Sequence, residues 1–247
     1  HPGLANWPRA IWATNSGAIS GCAATAAPQG HARLGTYTAQ FQVPTHRYGH
    51  AIMGDLPEWG RLCLTGPGTQ ACVTLPETAV FEDMAPRLAD LDHDGIPEVV
   101  VVESTMTQGA ALVVYRLDKT TLTRIATPHI GRRNRWLAPA GIGDLDGDGS
   151  VEIAYVDRPH LAKTLRIWRY ENGALHHVTD QQGLTNHRIG DEGIAGGLRT
   201  CDGPPEILTA NADWSQIIAT RLTSGRTHTR PLGRYSAAAM TRALRCN

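Results

Sequence analysis

Two short stretches concentrate negative charge. Residues 89–98 read ADLDHDGIPE and residues 143–152 read GDLDGDGSVE. Alternate positions carry Asp90, Asp92 and Asp94 in the first and Asp144, Asp146 and Asp148 in the second, with Glu98 and Glu152 following. Carboxylates this close repel one another, and a cation placed among them removes the cost. Carboxylates at loop positions one, three, five and nine, with the carbonyls of Ile96 and Ser150 at position seven, form a hard oxygen set with room for water. Such a set suits calcium. Gly95 and Gly149 supply the dihedral freedom of a tight reversal. An EF-hand would place a bidentate glutamate at position twelve between two helices. The residues there are Val101 and Tyr155, inside strand-like runs. Two structural calcium ions are expected, one per loop.

These loops need elements that hold them, and the chain supplies a repeat. PEVVVVES (97–104), VEIAYVDR (151–158) and PEILTANA (205–212) put Glu98, Glu152 and Glu206 at a constant spacing. In that alignment the aspartates fall on Leu198, Thr200 and Asp202, so calcium is not extended to the third copy. Each copy continues with a polar segment, a run such as AALVVYRL or TLRIWRY, a turn, and another short run. That is about four strands per copy, rich in β-branched and aromatic residues. SAAAMTRALR near the C-terminus is the one helix-like segment. Four-stranded units recurring at this period predict a single β-propeller domain over 1–247, all-β and built of four-stranded antiparallel blades. The clearest units are 84–137, 138–191 and 192–235. The N-terminal part is more divergent. HRYGHAIMGDLPEWGRLCL resembles a blade start with a shortened metal loop, and AIWATNS (10–16) and GTYTAQFQV are further strands. Five blades are expected, with six or seven open, the ring closing by pairing strands from both chain ends.

The loop sequences resemble the FG-GAP, or VCBS, repeats found in the propeller of integrin alpha subunits and in many bacterial secreted proteins. The resemblance covers residues 84 to about 222 and rests on APRLADLDHDGIPEVVVV and APAGIGDLDGDGSVEIAYV. It implies a propeller with calcium loops between the first and second strands of a blade. It does not imply one function, because such propellers serve as adhesins, lectins, enzyme appendages and scaffolds.

If the metal loops lie at one end of the hairpins, the segments that start first strands and end second strands gather at the other, around the central channel. Arg47, His50, Arg87, Arg133, Arg135, Asp157, His187 and Arg188 are the candidate ligand residues there. Arginine forks beside aromatic rings suit a glycan, an acidic peptide or a protein partner.

Acidic and basic residues balance at 23 each, so no global field attracts nucleic acid or an anionic membrane. No apolar run approaches the ~20 residues of a membrane span. Cys63 and Cys72 flank a hairpin-like turn and predict a cross-strand disulfide, while Cys22, Cys201 and Cys246 leave the other pairing open. Disulfides point to an oxidising compartment, periplasmic or extracellular. No G-x-S-x-G, H-E-x-x-H or phosphate-loop motif occurs. The expected function is a calcium-binding binding or scaffold module. The alternatives are a polysaccharide lyase or hydrolase using His50, His160 or His187 as base, and a docking subunit of a larger assembly.

Overall fold

The computed structural model describes residues 30–201 and 203–247. The strand expected at 10–16 and Cys22 lie outside the described residues. The chain is all-β, with one short helix near the C-terminus.

The first described unit is a meander of β1 (His31–Leu34), β2 (Tyr37–Thr45), β3 (Glu58–Gly66) and β4 (Thr69–Thr74). Three further units follow one plan. The second holds β5 (Ala79–Phe81), β6 (Arg87–Ala89), β7 (Glu98–Thr105), β8 (Gly109–Asp118) and β9 (Thr121–Ala126). The third holds β10 (Leu137–Gly143), β11 (Val151–Asp157), β12 (Thr164–Glu171) and β13 (Ala174–Gln182). The fourth holds β14 (Leu184–Thr185), β15 (Gly197–Arg199), β16 (Glu206–Asn211), β17 (Gln216–Thr223) and β18 (Arg226–Arg234).

All pairings are antiparallel. The first strand of each of the last three units is interrupted. It is split into β5 and β6, bulged between Pro139 and Gly141, and split again into β14 and β15. Proline belongs at such breaks because it cannot donate to the ladder. Across the first break the Asp83 carboxylate accepts from the backbone N–H of Val102 (3.0 Å), standing in for a carbonyl.

The burial pattern explains the sequence pattern. Strands β7, β10 and β11 are buried on both faces and read as near-continuous apolar runs. The outer strands β9, β13 and β18 are largely polar and exposed. Alternate residues of β7 feed different cores. Val99 and Val101 join Phe41, Leu62 and Phe81, whereas Val100 and Val102 join Ile142, Ile153 and Tyr155. In the same way Ala154, Val156 and Leu165 of one sheet share a core with Ile207 of the next. The sheets therefore stack face to face in series.

Helix α1 (Ala237–Leu244) starts where the Ser236 hydroxyl accepts from the Ala239 N–H (3.1 Å), a standard N-cap. Its Met240, Ala239 and Leu244 pack on Leu208, Ile217 and Ala219, covering the far face of the last sheet. The expected closure by strands from both chain ends involves residues outside those described. None of the sheets is closed on itself, and among the described residues no strand from the start of the chain pairs with β18. The described part holds four units, in three hydrogen-bonded sheets, because β5 bridges β3 to β7 through Trp59 and Phe81.

One correction concerns residues 46–57. The start of β3 lies beside the end of β7, through Trp59↔Phe81 and Phe81↔Glu103. The connection from β2 to β3 therefore opens at the end opposite the Asp90 loop, and Gly54-Asp55 does not occupy a metal-loop position. The segment instead reaches across to other units. The Asn134 N–H donates to Tyr48 Oη (2.8 Å), Arg133 Nη2 donates to the Tyr48 carbonyl (3.0 Å), and the Gly190 N–H donates to the Ile52 carbonyl (3.2 Å).

Two disulfides lock the ends of this arrangement. Cys63 and Cys72 face each other directly across β3 and β4 with Cα atoms 4.1 Å apart. Cys201 joins Cys246 just beyond α1, which ties the segment after the helix to the loop after β15. Replacing Cys63 and Cys72 together by alanine is expected to destabilise by about 2.5 kcal/mol, the chain-entropy value for so short a loop. A urea midpoint unchanged from wild type would contradict it.

Candidate functional site

Both acidic loops sit where an inner strand turns into the next strand. In the first, Ala89 pairs with Glu98; in the second, Gly143 pairs with Glu152. Oxygens of Asp90, Asp92 and Asp94 converge within 4.8 Å of one another in the first loop, and those of Asp144, Asp146 and Glu152 in the second. Glu98 and Asp148 stand outside these closest groups. Glu98 is buried and accepts from the Leu91 N–H (2.8 Å), as Glu152 does from Leu145 (2.9 Å). Asp148 accepts from Ser150 N and meets Arg169 Nη1 at 2.8 Å. Gly95 and Gly149 have φ of +87° and +92°, which a side chain would strain.

The electrostatics of the loops suit a cation. Burial, with Asp92 and Asp94 adding like charge, pushes Glu98 up to about 7. Asp90 Oδ1 and Asp146 Oδ1 are buried and have no hydrogen-bond partner, which is costly for a carboxylate oxygen unless an ion completes it. The residues present therefore fit a hard divalent cation.

Sequence reasoning missed the arginine in the third strand of the second and third units. Arg169 lies across from Glu152 in the β11–β12 ladder and reaches Asp146 (3.1 Å) and Glu152 (2.6 Å). Arg116 takes the same place one step beyond Val99↔Tyr115, reaching Asp92 (3.3 Å) and Asp94 (3.5 Å). Tyr170 of the neighbouring unit lines the same depression as Asp92 and Arg116.

The fourth unit departs from the others, and strand register corrects the alignment read from sequence. Arg199 pairs with Glu206, so Arg199 stands where Ala89 and Gly143 stand. Six residues, 200–205, replace the eight of 90–97 and 144–151. Leu198 is thus in the strand rather than at the first aspartate position. Three guanidinium groups converge on Glu206: Arg199 (2.7 Å), Arg230 (2.8 Å) and Arg221 (3.2 Å). Burial would raise the Glu206 carboxyl, but bonds from Arg199 and Arg230 hold it below the usual glutamate range. Fixed positive charge fills the place a cation would take.

At the opposite end polar segments meet. His50 and Arg135 line a cavity of about 220 Å³ together with Arg158, His160, Leu161 and Ile189. His50 Nδ1 lies 2.5 Å from the buried Glu82 carboxylate, which also accepts from the Ser104 hydroxyl. Burial raises the Glu82 carboxyl. His187 is buried behind His160, its Nδ1 3.1 Å from His160 Nε2 and its Nε2 2.9 Å from the Asp191 carbonyl. Desolvation, with His187 adding to it, lowers His160 to about 4.

The other candidates are engaged elsewhere. Arg47 donates to the Ala79 and Pro76 carbonyls and pairs with Glu77 (3.1 Å). Arg87 is held by Asp83 (2.7 Å), and Asp157 by Arg158 (2.7 Å) and Arg166 (3.0 Å). Arg133 lies over the Tyr48 ring, and Arg188 stacks on Trp214 at 4.2 Å. Their polarity was readable in sequence, whereas their pairing depended on which strands became neighbours.

No helix among the described residues is long and apolar enough to cross a membrane. No curated protein matches the chain. Residues 90–155, from the first acidic loop into the strand after the second, match the family model of the FG-GAP-like repeat.

Proposed function

We propose that this protein is a calcium-stabilised, propeller-like binding module of an oxidising compartment, periplasmic or extracellular, that takes a glycan or protein ligand on its channel face. The observation that carries the reading is the pair of acidic loops, each with a buried carboxylate oxygen lacking a partner, inside an FG-GAP-like repeat. Asp90, Asp92, Asp94 and Glu98 would hold one ion with the Ile96 carbonyl. Asp144, Asp146, Asp148 and Glu152 would hold the other with the Ser150 carbonyl. Bound calcium would supply positive charge that fixes the register of each strand pair. Isothermal titration with calcium is expected to give two ions per chain, and a chain that takes up none overturns the reading.

An enzyme on the same scaffold has one observation in its favour, the His50–Glu82 pair. A glycan-cleaving site must hold several sugar units, yet the cavity beside His50 is below the ~300 Å³ at which drug-sized sites begin. A docking role calls for a broad apolar rim. The exposed large hydrophobic residues among those described are Val43, Leu161 and Ile189, and two of these border the cavity.

A further inference from the structure

The cavity on the channel face has a composition that its surroundings do not. No aspartate or glutamate lines it, although two arginines and two histidines do. Arg158 is committed to Asp157. Arg135 has no carboxylate partner among the described residues. The bond it makes is a long one, 3.5 Å to the adjacent Asn134 carbonyl. Its guanidinium is a bidentate donor with no carboxylate on it among the described residues.

The two imidazole rings are set from behind by buried groups. Glu82 holds His50 through Nδ1, which leaves Nε2 for the cavity. His187 Nε2–H donates to the Asp191 carbonyl, so His187 Nδ1 accepts from His160 Nε2. His160 then offers Nδ1 as an acceptor. At the rim, Leu161 and Ile189 are 60% and 72% exposed, large apolar groups open to solvent.

We infer that this cavity binds the carboxylate of an N-acylated apolar amino acid, the group found at the C-terminal end of a polypeptide and in free N-acyl amino acids. The carboxylate lies on Arg135, the acylated N–H donates to His160 Nδ1, and the side chain lies between Leu161 and Ile189. The cavity volume admits one residue and not an extended chain. The inference rests on the channel face being the binding surface, and it names the chemistry that surface takes.

The test is calorimetric titration of the whole chain, in calcium, with N-acetyl-L-leucine and with N-acetyl-L-leucinamide. The acid is expected to bind at least tenfold more tightly than the amide. Arg135→Gln is expected to abolish that preference while leaving the melting temperature unchanged, because Arg135 supports no other residue. Equal binding of acid and amide, no binding of either, or an unaltered preference in Arg135→Gln would overturn the proposal. Inorganic phosphate binding as tightly as the acid would overturn it too, since phosphate cannot use the apolar rim. A peptide ending in leucine separates the sources: tighter binding than the free acid supports a polypeptide end, and equal binding supports a small acid. Calcium uptake is read on the same sample. A chain that takes up calcium but ignores the acid sinks this inference alone, and one that binds the acid without calcium sinks only the calcium reading.

Discussion

Adding calcium to chelator-treated protein is expected to raise its melting temperature by about 10–20 °C. Each site contributes about 2.7 kcal/mol when free ion stands 100-fold above its dissociation constant. Two sites give about 5 kcal/mol, and a chain of this size gains about 2–4 °C per kcal/mol. The effect is large because the loops carry charge they cannot spread. Asp90, Asp92 and Asp94 have oxygens within 4.8 Å of one another, and Arg116 answers them from a half-exposed position. Asp146→Ala should remove about half of the calcium-dependent rise. In chelator it should cost little, because the mutation removes repulsion as well as the Arg169 contact at 3.1 Å. Equal midpoints in calcium and chelator would sink the idea, as would an Asp146→Ala loss of the same size in both.

What the sequence made legible follows from what is local. The apolar runs of β7, β8, β11 and β12 and the turns between them were readable, because each is set by residues that pair across a hairpin. So were the acidic loops and the Cys63–Cys72 bond, which join residues close in the chain. The interrupted inner strands were harder. Ala79–Phe81 and Leu184–Thr185 are too short to show a period, and their partners lie 20 or more residues on. The 46–57 connection misled because Gly-Asp followed by a glutamate copies the metal-loop signature, while its direction is decided by Trp59 meeting Phe81. The channel face was read as a list of polar residues. Which of them would be absorbed by Asp83, Glu77 or Asp157 depended on tertiary neighbours that no spacing encodes.

The fourth unit provides the sharpest contrast with the calcium loops. Glu206→Gln is expected to destabilise by about 3 kcal/mol, the lower end for breaking a buried pair because Arg221 and Arg230 can reach water. Arg199 cannot, with its side chain 10% exposed. It also donates to the Ala243 carbonyl at the end of α1 (2.9 Å), so a neutral partner leaves a buried charge and loosens the helix that covers the last sheet. Because Glu206 is held below the usual glutamate range, its contribution is present above that range and fades as pH falls through its lowered value. The loss in Glu206→Gln should be the same in calcium and in chelator, since guanidinium groups already occupy the cation's place. By contrast, Glu152→Gln should cost more in calcium, because Glu152 belongs to a group that can hold an ion. A Glu206→Gln loss that grew with calcium would mean the shortened loop binds the ion after all, and the argument that arginine replaces it would fall.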